Sequence, residues 1–264
     1  MGNMIIRPVR YIQRMLRGSS RPQLILMSDG FKYAVKFKNN SIQGTRSLVN
    51  EYVAGRLARM LHLPVPQFQI VYIPQTFIRA NLSPYKFAPG HQFASRFIDN
   101  CVREHAKRCL PNRRCIINGR QLAGIIVFDQ WVSNIDRKVR NILLKKTSRQ
   151  GRYQIYMIDH GHSFSRNDVR PNCKWTPHTL SCLPQKLKWN DFYQWCMNEL
   201  HSPNELLRFV KMIEQLPDQK IYKVILSIPK DWHVSQAEKE SLYAYLKRAK
   251  RQLRNLIIQY IKNR

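Results

Sequence analysis

Acid is what this chain has least of. Sixteen Asp and Glu stand against 45 Lys and Arg, for a formal net charge of +29. Such an excess attracts polyanions and acidic surfaces over long range, so an acidic protein or a nucleic-acid-associated molecule is an expected partner. The basic residues concentrate in 7–21, 103–120 and 239–264 rather than in one tail. No apolar run approaches the length of a membrane span. No apolar signal segment opens the chain, and Met1-Gly2-Asn3 is not followed by the Ser or Thr of a good myristoylation site. A cytoplasmic protein without a membrane span is expected. The six cysteines (101, 109, 115, 173, 182 and 196) form no Cys-x-x-Cys pair, which argues against a zinc site and for reduced thiols. Repeats and low-complexity tracts are also missing. With 44% hydrophobic residues, the chain can build one large core or two small lobes.

Among so few acids, two stand in an informative pattern. Asp136 is followed five positions later by Asn141, and Asp159-His160-Gly161-His162 follows an apolar run. A metal-dependent phosphoryl-transfer site needs these polar parts: a base for an attacking hydroxyl and oxygen ligands for a hard cation. Asp136 is the candidate base, and Asn141 and Asp159 are the candidate metal ligands. Ile142-Leu143-Leu144 and Tyr153 to Ile158 predict the two strands of a hairpin that returns Asp159 to Asn141. Magnesium accepts one carboxylate and one amide when phosphates and water complete its shell. Taken singly, each segment also suits a simpler role: Asp136 as a helix cap or a partner of Arg137, and Asp159-His160-Gly161 as a turn.

The first third of the chain offers a phosphate-binding lysine. Residues 23–27 and 32–37 predict two strands joined by Ser28-Asp29-Gly30-Phe31, an Asp-Gly hairpin signal. Alternation places Ala34 and Lys36 on one face and Val35 and Phe37 on the other. A lysine in an apolar strand needs an anionic partner. Glu51 is the only acid between Asp29 and Asp99, and 48–61 has helical apolar spacing ended by Leu63-Pro64-Val65-Pro66. Glu51 is therefore the expected partner of Lys36, with Arg46 or Arg56 on a solvated face as its alternative. Upstream, Gly18, Ser19 and Ser20 offer small residues whose amides can fold over phosphates, though equally they suit an ordinary solvent loop.

The run from Gly18 to Gln23, the Val35-Lys36-Phe37 strand, Asn50-Glu51-Tyr52, the segment Asp129 to Arg137 and Ile158-Asp159-His160-Gly161 together resemble the bacterial HipA-like kinases. The chain looks most like the short stand-alone HipA-like proteins of Gram-positive bacteria. The motifs cover about 18 to 165. The resemblance implies an α+β, two-lobed protein-kinase-like fold. Residues 1–95 would be a small antiparallel-sheet N-lobe, and 96–264 a mainly helical C-lobe. It also implies ATP and Mg2+, with Asp136 as base, Asn141 and Asp159 as metal ligands and Lys36 on the ATP phosphates. The 94–99 segment resembles the family's hinge, where backbone atoms around Ser95 and Phe97 would meet adenine. The expected activity is transfer of phosphate from ATP to a hydroxyl, with a protein Ser or Thr as the leading acceptor. Asp-Arg followed by Asn, and Asp-x-Gly-His, also resemble the lipid-kinase branch, which leaves a lipid or small-molecule acceptor open. The alternative of a different class is a degenerate kinase fold that holds nucleic acid or an acidic partner on its basic surface.

At the C-terminus, Leu242, Leu246, Ala249, Leu253, Ile257 and Ile261 predict a basic amphipathic helix docked on the large lobe. Phe192, Tyr193 and Trp195 are expected in the core, together with Trp189, and Ser202-Pro203-Asn204-Glu205 is a helix start.

Overall fold

The computed structural model describes residues 6–15, 21–39, 44–82, 86–102, 110–164, 174–181 and 190–262. In chain order these form β1 (Pro8–Arg14), β2 (Gln23–Met27), β3 (Lys32–Lys36), α1 (Thr45–Met60), β4 (Phe68–Ile73), α2 (Gln75–Asn81) and β5 (Gly90–Arg96). Then follow α3 (Leu122–Trp131), β6 (Ile142–Lys146), β7 (Tyr153–Met157), α4 (Pro177–Ser181), α5 (Asp191–Asn198), α6 (Asn204–Glu214), α7 (Asp218–Leu226) and α8 (Gln236–Lys262). Short 3-10 turns include Val139–Asn141 and Lys230–Trp232.

The first five strands make one antiparallel sheet in the order β1-β2-β3-β5-β4. The β2–β3 hairpin turns where the Asp-Gly signal lies, with Gly30 at φ 80°, a conformation that glycine adopts without steric cost. Its alternation is the expected one: Tyr33, Val35 and Phe37 are buried in a core with Ile25, Met27, Ile73 and Ala94, and α2 contributes Phe77 and Ile78. Lys36 faces the other way. There α1 lies against the sheet, close enough that a Cβ on Gly55 would meet the Phe68 ring at 2.8 Å.

A second core joins α1 to the helices that follow. Leu48, Val53 and Leu57 of α1 share it with Phe128 and Trp131 of α3, Phe192 and Tyr193 of α5, Val210 of α6 and Leu246 of α8. Phe192 and Tyr193 are therefore core, as expected, while Trp195 is only partly buried against it; Trp189 lies outside the described residues. Helix α8 buries Leu242, Tyr245, Leu246, Leu253 and Ile257. Part of its basic face is answered by acids on neighbouring helices: Lys247 and Lys250 pair with Asp218, and Arg254 with Glu214. The amphipathic stripe is thus a docking face within the fold. No helix of the described residues is long and apolar enough to cross a membrane.

The sheet and the helical region are tied together at one further place. Asp231, in the 3-10 turn after α7, accepts hydrogen bonds from the His91 amide and ring Nδ1, each at 2.9 Å, and from Lys38 Nζ at 3.2 Å. Trp232 Nε1 donates to the His91 carbonyl at 2.8 Å, and Tyr52 of α1 meets Trp232 edge to face.

Candidate active site

Lys36 projects from β3 to two carboxylates. It pairs with Glu51 of α1 and, at 2.9 Å, with Asp159. Burial alone would push the lysine toward its neutral form, but Asp159 and Glu51 outweigh it and hold the ammonium above its ordinary value. Glu51 responds in the opposite sense. Burial raises its pKa, while Lys36 first and then His160 pull it well below the usual carboxylate range. The alternative partners of Glu51 are engaged elsewhere: Arg46 pairs with Glu238, and Arg56 donates to the Tyr52 hydroxyl.

The turn carrying Asp159 packs on α1. Asp159 has φ 61°, a left-handed conformation that Asp tolerates better than most residues. Asn50 Nδ2 donates to the Gly161 carbonyl at 2.8 Å, and a Cβ on Gly161 would stand 2.8 Å from Ser47 Oγ. Glycine is required here by close approach, not by backbone angle. His160 is buried against Phe128, with Nδ1 3.8 Å from Glu51 Oε2, a distance for charge interaction but too long for a hydrogen bond.

Strands β6 and β7 bring the second half of the site to the same end of the hairpin. Ile142 opposes Met157, and the Ile158 amide donates to the Asn141 carbonyl at 2.9 Å, so Asn141 and Asp159 are delivered side by side along the chain path. Asn141 Nδ2 donates to the Asp136 carbonyl at 2.7 Å, which leaves its Oδ1 as the side-chain acceptor. One amide oxygen and one carboxylate suit a hard divalent cation whose remaining ligands are phosphates and water. Among the described residues no group of three or more His, Cys, Asp and Glu has metal-holding geometry.

Asp136 pairs with Lys138 and, at 3.3 Å, with Arg140. Burial opposes ionisation, but Lys138, His162 and Arg140 together keep this carboxyl below its ordinary value. Arg137, the simpler expected partner of Asp136, turns inward. It is fully buried, donating to Asp129 from Nε at 2.8 Å and Nη2 at 3.2 Å, and from Nη1 to the carbonyls of Ile158 at 2.7 Å and Asn141 at 3.2 Å. Asp129 also accepts from Asn134 and from the Tyr193 hydroxyl. The carbonyl of Arg137 itself accepts from Asn190 Nδ2, the residue that caps α5. One guanidinium thus joins α3, the Asp136 loop and both strands that carry the candidate ligands.

The expected hinge is narrower than its resemblance implies. Ser95 lies inside the sheet, in register with Ala34 and Phe68, and the Phe97 amide donates to the Lys32 carbonyl at 2.8 Å. That amide is therefore not available to an adenine ring. Gly18, Ser19 and Ser20 lie outside the described residues.

Sequence reasoning missed the Arg137–Asp129 pair and the place of Ser47 and His160 around Glu51. Asp129 carried a usable signal, because an acid inside the apolar helix Leu122–Trp131 must find a cation.

This is a kinase-like fold, and comparison with known proteins is consistent with it. A family model described as HipA-like kinase matches residues 9–259, so the chain belongs to the HipA-like kinase family. Among solved structures, the Helicobacter pylori proinflammatory kinase CtkA is similar with a TM-score of 0.62 and 15% identity, over 93% of this chain and 92% of that one. The Golgi casein kinase is similar with a TM-score of 0.53 and 10% identity, over 98% of this chain and 73% of that one. Its form with Mn and ADP bound gives 0.51 and 10%, over 95% and 73%. No curated protein matches the sequence.

Proposed function

We propose that the protein is an ATP-dependent, magnesium-requiring phosphotransferase that acts on a hydroxyl acceptor, with a protein Ser or Thr as the acceptor. The observation that carries this reading is Lys36 held between Glu51 and Asp159 at the end of the hairpin that also delivers Asn141. A phosphate-binding lysine, its positioning carboxylate and two oxygen ligands are the parts that phosphoryl transfer requires. Mn and ADP in the Golgi casein kinase lend support from a shared fold.

In this reading the nucleotide occupies the cleft between a sheet lobe, 1–95, and a helical lobe, 96–264. When bound, ATP supplies the phosphoryl group and magnesium spreads its charge. The protein's own residues do the rest. Asn141 Oδ1 and the Asp159 carboxylate hold the cation, and Lys36, oriented by Glu51, binds phosphate oxygen. Asp136 takes the acceptor's hydroxyl proton on a carboxylate oxygen. The location is cytoplasmic, where ATP is supplied and where free thiols such as Cys101, Cys115 and Cys196 persist.

The test is Asp136→Asn. Loss of a general base costs about 100- to 10,000-fold in turnover. Nucleotide binding in that variant stays at the wild-type level, and wild-type turnover in it contradicts the assignment.

A further inference from the structure

We infer that the acceptor is a polypeptide hydroxyl flanked by carboxylates, and that Arg140, assisted by Lys138, recognises them. The inference rests on the kinase reading above and adds the acceptor's chemistry to it. The Asp136 side chain is 18% exposed, while those of Lys138 and Arg140, both paired to it, are 51% and 68% exposed. The cations therefore stand outward of the carboxylate, and an incoming chain meets them before it reaches the base.

Their place is fixed by the loop rather than by the surface. Residues 136 to 141 are held from below by the buried guanidinium of Arg137 and closed by the hydrogen bond from Asn141 Nδ2 to the Asp136 carbonyl. The backbone positions that carry Lys138 and Arg140 are thereby fixed beside the base, while their exposed side chains are free to turn outward. Elsewhere the chain's acids are largely consumed internally: Asp129 by Arg137, Glu205 by Arg113, Glu238 by Arg46, Asp231 by Lys38, and Glu214 and Asp218 by α8. Among the described residues, Lys138 and Arg140 form ion pairs only with Asp136.

A carboxylate next to the acceptor hydroxyl has two effects here. Its two oxygens match the planar fork of Arg140, a geometry that an ammonium or a neutral group does not reproduce. By drawing Arg140 outward it also relieves an Asp136 oxygen of a competing partner, so that oxygen is open to the hydroxyl proton. The hydroxyl oxygen then bonds to the γ-phosphorus as the bond to the departing ADP oxygen breaks, and the proton goes to Asp136.

The experiment uses the full chain with γ-labelled ATP and two serine peptides of equal length, one with Glu and one with Lys on both sides of the serine. Wild type transfers label to the Glu peptide with the higher kcat/KM, and the preference shrinks as salt rises. Arg140→Glu lowers the ratio of the two kcat/KM values about tenfold, the effect of replacing one attractive charge pair by a repulsive one. Arg149→Glu makes the same charge change in the exposed β6–β7 connection and leaves the ratio as in wild type. Equal use of both peptides by wild type, or a ratio unmoved by Arg140→Glu, overturns the inference alone, as does self-labelling without transfer to either peptide. Absence of both nucleotide binding and any label transfer in the folded wild type overturns the kinase reading and the inference with it.

Discussion

Arg137 reaches the Ile158 carbonyl at 2.7 Å while its other nitrogens grip Asp129, so the residue next to the candidate base also holds the residue next to a candidate metal ligand. A buried guanidinium is costly unless each charge and proton finds a partner, and here Asp129 and two backbone carbonyls supply them. Burial would lower the pKa of Arg137, but Asp129 keeps it above its ordinary value. Arg137→Met leaves Asp129 uncompensated and is expected to cost about 3–5 kcal/mol in urea unfolding. The double variant Asp129→Leu with Arg137→Met regains most of that stability but not turnover, because the carbonyls of Asn141 and Ile158 lose their common donor. Turnover recovered in parallel with stability contradicts the positioning role.

Gly161 is set by contact with α1. Gly161→Ala places a methyl 2.8 Å from Ser47 Oγ and beside Glu51, at a cost of about 1–3 kcal/mol for a crowded core position. Removing that hydroxyl in Gly161→Ala with Ser47→Ala recovers part of both stability and nucleotide affinity. A single variant as stable as wild type shows that the turn can move away from α1.

The carboxylates of the site give stability a definite pH dependence. Glu51 and Asp136 both ionise more readily in the folded protein than at their ordinary values of 4.5 and 3.8. Their contribution is therefore complete above those values and is lost as pH falls through and below them. Lys36 has the opposite sense: its contribution is present below its ordinary 10.5 and declines as pH rises beyond it. Urea titrations between pH 3 and 7 are expected to show stability falling on the acid side, with a shallower slope in Glu51→Gln. An unchanged slope in that variant contradicts the assigned environment of Glu51.

Asp231 links the sheet to the helical region through His91 and Lys38. Asp231→Ala leaves the exposed His91 amide and the half-buried Lys38 ammonium without this acceptor, costing about 0.5–1.5 kcal/mol. Hydrogen exchange of β5 amides accelerates selectively in the variant. Uniform exchange across the molecule shows that the contact is not a local tie.

Much of the site is legible in the sequence because charge is improbable where these residues sit. Lys36 in an apolar strand requires an anion, Glu51 is the lone acid between Asp29 and Asp99, and the two apolar runs around a polar connection predict the hairpin that returns Asp159. Other parts are hidden for physical reasons. β1, with the sequence PVRYIQR, has two register irregularities and exposed Val9 and Ile12, so its pattern resembles a basic run more than a strand. Arg137 stands between Asp136 and Lys138, and nothing local says that it turns inward. The tie between Lys38 and Asp231 joins residues 193 positions apart, a distance over which pattern carries no information.

The most direct test of the account is transfer of γ-labelled phosphate from ATP with magnesium, in cell extract and with purified acceptors, comparing wild type with Asp159→Ala. The account predicts label on a discrete acceptor with wild type alone, and magnesium-dependent nucleotide binding weakened in the variant. A folded wild-type protein that neither binds ATP nor transfers label contradicts it.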